Sequence, residues 1–154
     1  MSQAVSGRQA ATGKARDAGS PIAALPARAG AAAAEWAPVA GRVLLALVLG
    51  WFGYHELVHP GLWTGYVQVA PASSGAAAVL VLIHGWALLM LAVALLAGIA
   101  TRIAALIAAV LMLEIVISLT VTAGLSDLTL RDVGVLGLAA CLTGISSQRL
   151  TLRR

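Results

Sequence analysis

Residues 76–123 read AAAVLVLIHGWALLMLAVALLAGIATRIAALIAAVLMLEIVISLTVTA, with Arg102 and Glu114 as the only Arg, Lys, Asp or Glu. A helix needs roughly 20 consecutive apolar residues to cross the hydrocarbon core of a bilayer, and this run is long enough to cross twice. Ala100-Thr101-Arg102 interrupts it, which predicts a tight turn. Two antiparallel spans follow, over about Ala76–Ala100 and Arg102–Ala123.

The rest of the chain supports the same solvent. Of its 154 residues, 60% are hydrophobic and 10% charged, with a mean hydropathy of +0.95; a soluble domain carries about 25% charged residues. A small globule cannot hide that much apolar surface, so the composition points to a membrane protein. A first span is expected over about Val39–Val58, ending at His59-Pro60, and a fourth from near Leu128 that fades at Ser146-Ser147. The fourth is the weakest, because Arg131 and Asp132 sit in its first turn. The expected fold class is all-α, an integral membrane four-helix bundle over residues 36–154. Residues 1–35, rich in Ala, Gly, Ser and Pro, are expected to form a disordered basic tail. The first apolar run lies far from the start and has no small-residue cleavage site behind it, so it reads as a retained span.

Basic residues set the expected orientation. Arg8, Lys14, Arg16 and Arg28 lie in the tail, Arg42 opens the first span, Arg102 marks the second turn, and Arg149, Arg153 and Arg154 close the chain. The 59–75 connection has no Lys or Arg, and the 124–132 connection sets Arg131 against Asp127 and Asp132. Both termini are therefore expected in the cytoplasm. The basic residues flank apolar runs, so lipid is the expected partner and nucleic acid is not. Small residues mark helix-packing faces: Ala46, Gly50 and Gly53 on the first span, and Gly134, Gly137, Cys141 and Gly144 on the fourth. Cys141 is the single cysteine, which excludes an internal disulfide and a cysteine-based metal cage.

One short motif competes with this reading. His55-Glu56-Leu57-Val58-His59 has the form of the zinc-protease signature, in which both histidines project from one face of a continuous helix. Pro60 disfavours helical geometry at His59, and a catalytic zinc needs a third protein ligand. A zinc or haem site using His55, His59 and His84 is thus a remote alternative.

Ionisable groups inside a span cost at least a few kcal/mol and default to a pairing or functional role. Glu114 lies about nine residues, or roughly 13 Å, from the outer end of its helix, and His84 roughly 12 Å into the second span. Ser118 and Thr122 continue the Glu114 face. His55, Glu56, Arg131 and Asp132 are shallower, near the outer mouth. Together these groups predict a polar pocket in the outer half of the bundle. Trp51, Phe52, Tyr54, Trp63, Tyr66 and Trp86 fall in the same zone, as an interfacial aromatic belt or as pocket walls for a flat ligand.

Residues 42–152 also resemble the DoxX/DoxD-like family of four-helix bacterial membrane proteins. The resemblance rests on Gly53-x-x-x-x-x-His59-Pro60-x-x-Trp63 and on Leu96-Ala97-Gly98-Ile99-Ala100-Thr101-Arg102, similar to a Gly-x-x-Thr-Arg turn. It extends through the Ala- and Leu-rich run to Met112, to Arg131-Asp132 opening the last span, and to Arg149-Leu150-Thr151-Leu152 closing it. On this alignment His59 belongs to a His-Pro corner. Glu56 falls where many members have lysine, and His84 near where many have glutamate, so a basic–acidic pair becomes an acidic–basic one. Arg153 replaces a final aspartate.

The resemblance implies a bacterial inner-membrane component of a redox system. The leading expectation is a quinone-interacting oxidoreductase subunit that receives electrons through a partner. His84 and Glu114 would contact the ligand, and Trp51, Tyr54 and Trp86 are candidate walls. The alternative is a non-catalytic accessory subunit of a larger membrane complex. A transporter is the weakest reading, since no internal repeat is visible.

Overall fold

The structure, a computed structural model, describes residues 21–145, with side chains from residue 30 onward. Four α-helices are described: α1 Pro21–Val58, α2 Gly75–Ala97, α3 Thr101–Ala123 and α4 Asp127–Gly144. Two 3₁₀ turns, Pro60–Leu62 and Thr64–Tyr66, connect α1 to α2, and no strand occurs among the described residues. The chain divides into two units, residues 1–35 and 36–154. In the first, residues 21–35 are helical, where a disordered tail is expected from composition. Alanine is the strongest helix former, and the run Ala31 to Ala34 favours helix without any apolar periodicity. The tail before residue 21 and the basic ending after Ser146 lie outside the described residues.

Three helices, Gly30–Val58, Gly75–Ala97 and Thr101–Ala123, are long and apolar enough to cross a membrane. α4 is shorter, at 18 residues, or about 27 Å. Chain termini of these helices are set by local chemistry. Ser74 caps α2 by accepting from the Ala77 N–H at 3.2 Å, and Ser126 caps α4 by accepting from Thr129 at 3.3 Å. The second span ends at Ala97 rather than Ala100, because Gly98 takes a left-handed conformation, φ 70°. The Gly98 N–H then bonds Leu95 and the Ile99 N–H bonds Ala94, the paired bonds of a Schellman motif.

In the 36–154 unit one apolar core draws on all four helices: Leu45, Ala46 and Leu49 of α1, Leu88 and Leu95 of α2, Ala105, Ala108 and Met112 of α3, and Ala139 and Leu142 of α4. The outward faces remain apolar, with Leu44, Leu47, Met90, Val93, Val110 and Ile117 exposed, as lipid-facing residues would be. α1 meets α2 along the small-residue face. A Cβ added at Gly53 would stand 2.6 Å from the Gly85 carbonyl oxygen, and one at Gly85 would stand 3.1 Å from the Glu56 Cβ. This close approach fixes the register of the two helices. α1 meets α4 where Gly41 faces Leu138 and Leu142, and Arg102 Nε donates to the Thr143 carbonyl at 3.2 Å, tying the start of α3 to the end of α4.

Candidate functional site

The up–down order brings the end of α1, the start of α2, the end of α3 and the start of α4 to one end of the bundle. A cavity of about 400 Å³ lies there, lined on these elements by Phe52 and Glu56, His84, Glu114 and Ser118, and Arg131 and Asp132. Trp63, Tyr66 and Gln68 of the connecting segment also line it.

Glu56 and His84 are brought together by the Gly53–Gly85 contact, since Glu56 sits one turn beyond Gly53 and His84 precedes Gly85. The His84 Nδ1 to Glu56 Oε2 distance is 2.8 Å. Glu56 is buried. The other ring nitrogen, His84 Nε2, is buried and has no hydrogen-bond partner among the described residues. Its nearest charged neighbour is Glu114 Oε2, 4.0 Å away. That distance is beyond a direct hydrogen bond but close for opposite charges. The closer partner of His84 is thus Glu56, on α1, and Glu114 approaches from the other side. Glu114 itself is 61% exposed along its side chain.

Across the cavity, Arg131 Nε donates to Asp132 Oδ1 at 3.1 Å, and the Asp132 side chain is 2% exposed. The Arg131 guanidinium also lies over the Phe52 ring, 5.2 Å from its centroid, a cation–π contact. Phe52 packs edge-on to Trp63 at 5.9 Å, and Trp63 leans on Tyr66 at 6.2 Å. These rings form the apolar wall.

The 59–74 segment covers the end of the cavity. Gln68 Nε2 donates to Thr122 Oγ1 at 3.0 Å, and the Ser118 hydroxyl donates to the Tyr66 carbonyl. The polar stripe on α3 therefore serves largely to hold this segment, with Glu114 left over. Toward the flank the cavity is less enclosed: Leu80 and Ile83 of α2 and Glu114 of α3 line it while being 39%, 61% and 61% exposed.

Several residues singled out from the sequence do not reach the cavity. Trp51, Tyr54 and Trp86 point outward, at 66%, 56% and 60% exposure, and line no part of it. The position of Trp51 and Tyr54 follows from helix geometry, since Phe52 and Glu56 line the cavity from one face at a four-residue spacing and positions 51 and 54 lie off that face. His55 instead accepts a hydrogen bond at Nδ1 from Trp63 Nε1, at 3.2 Å. The rings of His55 and His59 lie 5.2 Å apart, but α1 ends at Val58 and the His59 backbone leaves helical geometry at φ −131°, ψ 56°. Glu56 and His59 thus diverge. No group of three or more His, Cys, Asp or Glu among the described residues is placed to hold a metal ion. Gln68 is a site residue with no helical pattern to announce it; its only sequence signal is an amide within a connection that carries no charge.

The class that fold and site define is a membrane protein, all-helical among the described residues, with a largely apolar, aromatic-walled cavity at one end of its bundle that carries a few ionisable side chains. No protein-family model, curated protein or solved structure matches the chain.

Proposed function

We propose that this chain is a bilayer subunit of a redox system that binds a quinone in the cavity, with electrons passing through a partner protein. One observation carries the reading: His84, whose Nε2 is buried and without a hydrogen-bond partner among the described residues, lines a cavity walled by Phe52, Trp63 and Tyr66. A quinone offers a flat ring to those side chains and oxygen atoms to that nitrogen. A volume of about 400 Å³ is in the range of small-molecule sites, and its open flank faces the phase in which a quinone dissolves. The likeness to DoxX/DoxD-like proteins points the same way.

In this proposal all four helices cross a bacterial inner membrane and both termini are cytoplasmic. Support comes from charge placement, with Arg42 and Arg102 toward the bundle end opposite the cavity and no Lys or Arg in the 59–75 connection. α4 would span about 27 Å of a core about 30 Å thick.

The test is native mass spectrometry of the protein extracted in mild detergent from its own membrane. The expected result is one quinone per chain in wild type and none in His84→Leu of unchanged assembly. Wild-type protein with no bound quinone overturns the reading.

A second reading has its own observation. Among the described residues, no atom lies within 4 Å of a Cβ added at Gly134, Gly137 or Gly144, and Cys141 is exposed. Such a face suits close approach by another helix, as in an accessory subunit of a larger membrane complex. Substituting His84 and Glu114 separates the two: lost activity with intact assembly favours quinone binding, and lost assembly favours the accessory role.

A further inference from the structure

The hydrogen-bonding character of His84 Nε2 is set by how many protons the Glu56–His84 pair holds. With one proton, the carboxylate is ionised and the proton lies on Nδ1 between the two groups, 2.8 Å apart. Nε2 then carries a bare lone pair and can only accept. With two protons, the second goes to Nε2, the most basic position left, and Nε2 can only donate. Glu56 therefore converts a ring with two tautomers into a switch with two states, and the atom that switches is the one left without a partner.

We infer that this pair discriminates the redox form of the ligand: the two-proton pair binds the carbonyl of a quinone, and the one-proton pair binds the hydroxyl of the quinol. The inference rests on the quinone reading above. A carbonyl oxygen accepts only, so it pairs with Nε2–H. A quinol hydroxyl can donate to the bare nitrogen, and that contact needs the pair to have released one proton. Four other titratable groups and the Ser118 hydroxyl line the cavity. Glu114 approaches Nε2 from α3 at 4.0 Å. Arg131 and Asp132 of α4 are committed to each other at 3.1 Å. Tyr66, from the connecting segment, lines the cavity, and Ser118 of α3 donates to the Tyr66 carbonyl. Glu56 is here a positioning residue, acting on the ligand through His84.

The experiment measures the affinity of the purified full-length protein in detergent for decyl-benzoquinone and for the corresponding quinol, between pH 5 and 9. Raising the pH populates the one-proton pair, so the preference for quinol over quinone should grow by up to about tenfold per pH unit across its titration. In Glu56→Gln the amide can accept from Nδ1–H or donate to a bare Nδ1, so the neutral ring regains both tautomers and no carboxylate balances the doubly protonated ring. The preference should then lose most of its pH dependence while binding persists. A Glu114→Gln variant should retain the preference and shift only its midpoint. Binding of both forms with the same pH profile in wild type overturns the inference and leaves the quinone reading standing. Binding of neither form overturns both. Because the decisive comparison is made on wild type, failure of a variant to fold does not rescue the idea.

Discussion

Glu56 and His84 show how a pair inside a span becomes affordable. Each alone would place an unsatisfied polar group in a nearly waterless interior; together, at 2.8 Å, one satisfies the other. Replacing Glu56 by Ala leaves Nδ1 orphaned and should cost about 1–3 kcal/mol of stability, read as a lower midpoint in denaturant titrations of the micelle-embedded protein. Glu56→Gln, which keeps a hydrogen-bonding group at the same reach, should lose less. An equal loss from both variants would mean that charge, and not hydrogen bonding, holds the pair. His84 and Glu114 were legible in the sequence as ionisable groups within spans, because hydropathy alone isolates them, although the Glu114 side chain is 61% exposed in the structure. That Glu56 is the closer partner could not be read from depth along the helices. It depends on how far α1 is rotated about its own axis, and only the likeness to DoxX-like proteins set Glu56 opposite His84. The same rotation turns Trp51 and Tyr54 outward, which aromatic composition cannot foretell.

Between elements, rotation is decided by glycine. Gly53 lets α1 approach α2 until the site of its missing Cβ stands 2.6 Å from the Gly85 oxygen and 3.0 Å from the Leu89 nitrogen. Both are backbone atoms and cannot swing aside. Gly53→Ala must therefore part the helices, at about 1–3 kcal/mol, and lengthen the Glu56–His84 contact. Gly61→Ala, where no described atom lies within 4 Å, is the matched control, and similar unfolding midpoints for the two would sink the argument. The face carrying Ala46, Gly50 and Gly53 was visible in the sequence by its spacing, but its partner was not, since α2 offers a single glycine there. The α2–α3 turn holds a different strain. Ala100 adopts φ 44°, ψ 44°, a left-handed conformation that costs a residue with a Cβ roughly 1–2 kcal/mol. Ala100→Gly removes that cost against a smaller gain in unfolded-chain entropy, so thermal unfolding should shift upward by a few degrees. The hairpin itself was predictable from the interrupted apolar run; the Gly98 stop was displaced by three residues because a Schellman ending consumes them.

At the scale of the whole membrane unit, polarity is segregated along the bundle. The cavity and its carboxylates occupy one end, and Arg102 ties α3 to α4 at the other. Three helices were legible as spans because length and apolarity suffice for that decision, whereas α4 was ambiguous in sequence and is still the shortest helix in the structure. Its glycines sharpen the question of what covers it. Glycine in a helix interior is about 1 kcal/mol worse than a good helix former, and Gly134 and Gly137 touch nothing in the described chain that would explain the choice. Packing against a helix outside this chain would explain it, since only small residues allow such approach. Gly137→Leu separates the possibilities because the monomer and the assembly respond in opposite directions. The isolated chain should become more stable by about 0.5–1 kcal/mol, as the new side chain has open space and the helix gains propensity. An assembly built on this face should dissociate, because the leucine fills the gap that the partner helix occupies. Native mass spectrometry on wild type and Gly137→Leu, each extracted from its own membrane, reads both. A heavier wild-type complex that collapses to single chains in the variant places a partner on α4. An unchanged mass places lipid there, and the glycines would then have to answer to something other than helix packing.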